Sequence, residues 1–262
     1  MLRYPGGKKK TADLILSYAP RDFREYRDPF TGGNGIIQSL PTRVEKIWLN
    51  DIDPWVYHFW LWMRDDKRCL EKIMQRKAIV STITEPEAAR QIHSDWKADI
   101  AVRYDPLDYL SLNLWSQSGI VSPKRQDIAS FSRIWHRDGW QNVKAHRIKA
   151  YQDRLQGATI TNLDYSEVLS APGKQVYIVI DPPYLLACNA SPLYSFPFTL
   201  EDHKLLAERL KNCEHPWCLT IGNSPLSEQL YHGFPMRKFP YTGTMVNRVK
   251  QIGKTELWVF SK

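Results

Sequence analysis

Asp181-Pro182-Pro183-Tyr184 stands directly after the apolar run Val176-Tyr177-Ile178-Val179-Ile180. Residues of these types in this order can grip an exocyclic amine on a flat base. The lone pair of such an amine, adenine N6 for instance, is delocalised into the ring, so a catalyst has to draw its two N–H bonds out of plane. The Asp181 carboxylate can accept one of them and the main-chain carbonyl of Pro182 the other. As the amine attacks a methyl sulfonium, positive charge grows on nitrogen, and a fixed carboxylate stabilises it. Tyr184 offers a ring to stack on a base turned out of its helix. The same four residues also suit a plain strand–turn–helix junction, with Asp181 as a cap and Tyr184 as filler.

The elements around this motif decide where it sits. A short β-branched apolar run reads as a buried parallel strand. Two prolines then break it, since neither has an N–H and each restricts the residue before it. That leaves a rigid loop at the carboxyl end of a strand, where open α/β sheets place their ligands. Upstream, residues 26–30 read as a strand, followed by Thr31-Gly32-Gly33-Asn34-Gly35 and a helix from near Asn34 to just before Pro41. A second strand over 44–49 stops at Asn50-Asp51-Ile52-Asp53, and further strands are expected over 158–164 and 217–221. Leu205, Leu206 and Leu210 have helical spacing, and the tail reads as a hairpin ending in a strand over 255–260. Alternating strands and helices predict an α/β fold with a mostly parallel sheet covered on both faces. Residues 54–157, rich in tryptophan and charge and mostly helical in pattern, read as an insertion into a domain formed by 1–53 and 158–262.

Three further constellations bear on a ligand. Asp28-Pro29-Phe30-Thr31-Gly32-Gly33-Asn34-Gly35 is a glycine-rich turn that lets backbone approach a ligand closely. It has neither the GxGxxG dinucleotide spacing nor a GxxxxGK[ST] phosphate loop. Asp51, at the end of the next strand, is placed for a ribose diol or, equally, for a helix N-cap. Asp164-Tyr165 offers a carboxylate for an adenine amine and a ring beside the purine, or again a cap. Arg3-Tyr4-Pro5-Gly6-Gly7-Lys8 fits a type II turn. It would place Tyr4 on a cofactor and Lys8 against its carboxylate or a nucleic acid, unless it is simply a surface turn.

The composition narrows the partners. The 262 residues are 43% hydrophobic and carry a formal net charge of +8, which favours an anionic polymer. The basic excess gathers in the insertion, at Lys124, Arg125, Arg133, Arg137, Lys144, Arg147, Lys149 and Arg154 against Asp127, Asp138 and Asp153, with Trp135 and Trp140 interleaved. A solvated helix face is the plainer reading of that run. No apolar run is long enough to span a bilayer, and the N-terminal residues carry no secretory pattern. The four cysteines form no CxxC pair, so neither a zinc site nor a disulfide framework is expected. A reduced, cytoplasmic setting follows.

Taken in order, these motifs resemble the Dam-like (D12 class, alpha-group) DNA adenine-N6 methyltransferases, over nearly the whole chain. The resemblance implies a Rossmann-like class I fold with a seven-stranded, mostly parallel sheet, an antiparallel C-terminal hairpin and a helical target-recognition insertion. It implies S-adenosyl-L-methionine as donor, S-adenosyl-L-homocysteine as product, and no metal. Carried over, Tyr4, Lys8, Asp28, Phe30, Gly32, Gly33, Gly35, Asp51, Asp164, Tyr165 and Asp181 are cofactor contacts. Asp181, Pro182 and Tyr184 are the catalytic grip on a flipped adenine. Double-stranded DNA would meet Gln117, Ser118, Lys124, Arg125, Arg133 and Arg137, the cations on phosphates and Gln117 on a base edge. Family members that read GATC carry an aromatic-Asn-Gly element followed by an arginine. Here Gln117-Ser118-Gly119 and Ser122 occupy those places, so GATC is not expected. A monomer is expected. The alternatives are an RNA adenine-N6 or DNA cytosine-N4 methyltransferase, a non-catalytic DNA-binding protein and, remotely, a nicotinamide-dependent dehydrogenase.

Overall fold

Four strands whose sequences are nearly all apolar or β-branched gather the chain into one sheet. The computed structural model describes residues 1–116, 119, 121, 130–132, 135, 139–184, 196–240 and 255–261. The strands are β1 (Glu25–Asp28), β2 (Lys46–Asn50), β3 (Thr159–Thr161), β4 (Val176–Ile180), β5 (Trp217–Gly222), β6 (Met236–Pro240) and β7 (Thr255–Phe260). They form a seven-stranded sheet in the order β3-β2-β1-β4-β5-β7-β6. The first five are mutually parallel, whereas β7 runs antiparallel to both β5 and β6. This is the α/β sheet with a C-terminal antiparallel hairpin that the strand pattern predicted.

Central and edge strands differ as their sequences require. All five residues of β4 are buried, as an unbroken apolar run demands of a strand covered on both faces. Strand β6 lies at the edge and carries Arg237, Lys238 and Pro240, residues that discourage pairing with another chain.

The strand order reverses between β1 and β4, which are direct neighbours with Tyr26 opposite Tyr177. A crevice opens at such a point, beyond the carboxyl ends of the strands. Asp28 ends β1, Asp51 follows β2 and Asp181 follows β4, so three carboxylates reach the same rim. Asn50 locks that rim together. Its Nδ2 donates to the carbonyls of Pro29 (3.2 Å) and Leu163 (3.0 Å), and its Oδ1 accepts from Leu163 N (2.9 Å) and Thr161 Oγ1 (2.7 Å).

Nine α-helices lie among the described residues: α1 (Ala12–Leu16), α2 (Pro54–Asp65), α3 (Cys69–Ser81), α4 (Pro86–Val102), α5 (Pro106–Trp115), α6 (Ala145–Leu155), α7 (Tyr165–Ser170), α8 (Leu200–Lys211) and α9 (Pro225–Leu230). Helices α7 and α8 pack on one face of the sheet, where Leu169, Leu206 and Leu210 meet Trp217, Leu219 and Ile221. Each such leucine contributes about 1.5–3 kcal/mol on burial. The other face is shared. Tyr177, Val179 and Trp258 from the sheet and Phe59, Trp60, Leu110, Trp115 and Tyr151 from helices of the 54–157 segment belong to one continuous core.

The chain departs from expectation after the glycine turn. Instead of a helix from Asn34, only a single 3-10 turn forms, over Ile37–Ser39. Gly32 and Asn34 have φ of 44° and 50°, which no right-handed helix accommodates. Pro41 then leaves too few residues to nucleate one. Strands β1 and β3 are also shorter than their patterns suggested. Asp28 turns back to accept from Phe30 N (3.2 Å), and Asp164 is claimed as the N-cap of α7. No helix among the described residues is long and apolar enough to cross a membrane.

Candidate active site

Tyr4-Pro5-Gly6-Gly7 forms the predicted tight turn, with Gly6 at φ 75° and Gly7 N bonded to the Tyr4 carbonyl at 3.3 Å. The turn delivers Lys8 into the crevice, where its side chain is only 5% exposed. Its ammonium lies 2.8 Å from Asp181 Oδ1 and 2.9 Å from Oδ2, and donates to the Tyr184 hydroxyl (2.7 Å) and the Gly6 carbonyl (2.7 Å). Thr220, on β5, donates to Asp181 Oδ1 at 2.7 Å. The carboxylate is thus fixed from two sides and remains 22% exposed toward the crevice. Burial pushes the Asp181 carboxyl above its ordinary range, while Lys8 pulls it back down.

Behind this pair lies a carboxylate that motif reading missed. Glu256, on β7 and 4% exposed, accepts from the Tyr184 hydroxyl and lies 3.4 Å from the Lys8 ammonium. Its other oxygen accepts from Trp258 Nε1 at 3.1 Å. A charged residue inside the buried strand sequence Thr255-Glu256-Leu257-Trp258-Val259-Phe260 was the available signal. His203 was also missed. It is fully buried, its pKa is lowered to about 4 by desolvation, and its Nε2 lies 3.1 Å from the Pro183 carbonyl. A carbonyl only accepts, so the neutral ring donates from Nε2 and pins the Pro-Pro loop.

The crevice widens into a cavity of about 320 Å³. Among the described residues six aspartates line it, at 28, 51, 53, 164, 181 and 202, with Lys8 as the single cationic side chain. Burial makes two of these carboxyls harder to ionise. Asp28 is raised to about 8, chiefly by burial, with further pushes from Asp181 and Asp51; Asp51 is raised to about 6 by burial. Asp51 also does local work, since its oxygens accept from Gly32 N (2.7 Å) and Asp53 N (2.9 Å), which ties the glycine turn to the start of α2.

The structure brings nearly all the sequence-derived ligand residues to this one cavity. Tyr4, Lys8, Asp28, Phe30, Gly32, Gly33, Gly35, Asp51, Asp164, Tyr165, Asp181 and Tyr184 all line it. Pro182 is buried, and Pro183 rather than Pro182 is among the lining residues. Phe30 and Tyr165 stack at 5.3 Å, and Phe198, which the sequence did not single out, meets both edge-on. A Cβ on Gly32 would lie 2.8 Å from the Tyr4 ring, and one on Gly35 would lie 2.8 Å from Lys9 N, so glycine is what lets these segments close together. Gln117, Ser118, Lys124, Arg125, Arg133 and Arg137 lie outside the described residues.

The sequence motifs led to a carboxylate at a sheet switch point beside a glycine turn; that Lys8 and Thr220 hold this carboxylate emerges only from the structure. A family model for D12 class N6 adenine-specific DNA methyltransferases matches residues 4–245. The chain belongs to that family. Across 98% of its length it is also 21% identical to 93% of the Type II methyltransferase M1.LlaDCHI from Lactococcus lactis subsp. cremoris. As a D12 class N6 adenine-specific DNA methyltransferase it is an enzyme that acts on adenine N6 in DNA, which sets aside the RNA, cytosine-N4, binding-only and dehydrogenase alternatives.

Proposed function

We propose that the aspartate-lined cavity binds S-adenosylmethionine, and that the adenine to be methylated is turned out of its duplex to meet Asp181. The observation that carries this reading is the Asp181 carboxylate, fixed by Lys8 and Thr220 at the cavity floor and still open on one side. The residues suit such a cofactor. Six aspartates against one lysine favour a cationic ligand, and Phe30, Tyr165 and Phe198 offer aromatic faces to a purine. When bound, the cofactor supplies an electrophilic methyl group on a sulfonium. The chain's own residues then orient and neutralise. Asp181 accepts one N–H of the target amine, stabilises the charge that grows there, and its Oδ2 can receive the proton N6 gives up. The Pro182 carbonyl is the second acceptor. Lys8 and Glu256 hold Tyr184 by its hydroxyl, which fixes the ring beside the base.

The 54–157 segment is the target-reading part of this proposal, with Gln117 and Ser118 on base edges and Lys124, Arg125, Arg133 and Arg137 on phosphates. The target is a site other than GATC, and the protein acts as a monomer in the cytoplasm. Unmethylated genomic DNA, incubated with the enzyme and S-adenosylmethionine and read by modification-sensitive sequencing, should show N6-methyladenine at one short motif. Failure to bind the cofactor in a calorimeter would refute the cofactor assignment. Gln117→Ala with an unchanged target motif would remove Gln117 as a base reader.

A further inference from the structure

Beside the active site lies a second cleft of about 190 Å³, bounded by the first residues of the chain, the end of α5 and the start of α6. Among the described residues its charged lining is Arg3, Lys9, Lys144 and Arg147, with no Asp or Glu. Lys9, Lys144 and Arg147 are exposed, and none forms an ion pair with a described residue. Such concentration of like charge is costly unless an anion relieves it. A neighbouring lysine registers the strain: Lys77 donates to the Val143 carbonyl (2.7 Å), and burial together with Lys144 lowers its pKa. The main chain adds to the field. Lys144 is the N-cap of the eleven-residue α6 but makes no side-chain cap bond, and the first turn carries no acid. Its leading N–H groups and the helix dipole therefore favour an anion at the same place.

We propose that this cleft seats one backbone phosphate of the DNA duplex beside the flipped base. The argument rests on the DNA substrate of the family, and not on the cofactor or on any target sequence. The all-cationic described lining favours a phosphodiester over a neutral base. Continuity supplies the register, because Lys8 and Lys9 sit on one 3-10 turn. Lys8 faces Asp181, and Lys9 lines the basic cleft. A strand whose phosphate rests on Lys9, Lys144 and Arg147 is therefore anchored next to Lys8, the residue that holds Asp181. Contacts of this kind position DNA without reading its sequence.

The test is a double variant, Lys144→Gln with Arg147→Gln, in the full chain without cofactor. Duplex binding is followed by fluorescence anisotropy across a salt series, and folding is checked by Tm. We expect affinity to fall several-fold for target and non-target duplexes alike, with the salt slope shallower by about one unit for the lost phosphate contact. Lys211→Gln, on the exposed end of α8 and paired with Glu208, serves as a control that should change neither. Inorganic phosphate should compete weakly with DNA for the wild type and not for the variant. An unchanged affinity and salt slope in a folded variant overturns the proposal. If that same variant also loses inorganic-phosphate binding, the cleft is a small-anion site and not part of the DNA track.

Discussion

One turn of chain separates two clefts of opposite charge. Among the described residues, six aspartates and a single lysine lie on one side of Lys8–Lys10; on the other are Arg3, Lys9, Lys144 and Arg147 with no acid. Under the proposed assignments, the difference would let one molecule sort two ligands of unlike charge. On the proposed reading, a cationic donor would be drawn to the acidic cavity and phosphates kept out of it, so that a neutral base is the part of a DNA strand able to enter. The basic cleft alongside suits the backbone that must stay outside. Neighbouring residues of like charge, Lys8 and Lys9, serve these different ends because the 3-10 turn sends one inward and leaves the other in solvent.

The sharpest way to break the comparison is to remove the charge that gives the acidic cleft its chemistry. Asp181→Ala should lower kcat by about 10²–10³, measured by methyl transfer to DNA, while calorimetry still detects cofactor binding. A variant with near-normal turnover would leave the acidic cleft without a catalytic carboxylate.

Next in size is the cost of burying a carboxyl. Asp28 is raised to about 8 in the folded chain, against an ordinary value near 3.8. The folded state therefore holds more protons than the unfolded state over that interval. Its contribution is fully present below the unfolded pKa and is lost as pH rises through about 8. Asp28→Asn should flatten this fall and be more stable than wild type at pH 9 by about 1–3 kcal/mol, as read from urea midpoints of the cofactor-free protein. A variant with the wild-type pH slope would place the burden elsewhere among the aspartates.

Glu256→Gln keeps the shape and removes one negative charge from the network. Because Glu256 is one of the groups that push the Asp181 carboxyl up, its loss should move the acid limb of the kcat profile to lower pH. We expect kcat to fall about tenfold through weaker control of Lys8 and Tyr184. An acid limb that stays in place would show that Glu256 only packs.

The smallest effect concerns the lip of the acidic cavity. Gly32→Ala meets the Tyr4 ring at 2.8 Å and also carries φ of +44°, so it should cost about 1–2 kcal/mol and raise KM for the cofactor. Gly157→Ala has positive φ but open space; it should cost about 1 kcal/mol and leave KM alone. Equal effects on KM would mean that the lip does not shape the cavity.

How much of this was legible follows from where the information sits. Val176–Ile180 announces a buried strand by composition alone, and Asp181 had to emerge at its carboxyl end. The strands and the glycine turn were equally local signals, and they led to the right rim. What escaped was set by tertiary partners. Glu256 looks like an exposed residue of a terminal strand until β7 pairs with β5 and turns it toward Tyr184. Thr220 and His203 are ordinary members of a strand and a helix until Asp181 and the Pro183 carbonyl arrive beside them. The helix expected from Asn34 failed because positive φ at Gly32 and Asn34 opposed it, a backbone fact that hydrophobic spacing does not carry.

The network around Lys8 also constrains the order in which the enzyme can come alive during synthesis. Lys8 is made 173 residues before Asp181, and Glu256 follows Tyr184 by a further 72. The segment bearing Lys8 is moored as well to Asn113 through both main-chain groups of Arg3. A nascent chain that has emerged only as far as β5 already holds the Asp-Pro-Pro-Tyr loop, yet lacks the strand that anchors Tyr184. Such widely separated contacts form slowly. The network around Lys8 therefore closes only after β7 has paired with β5 and brought Glu256 to Tyr184.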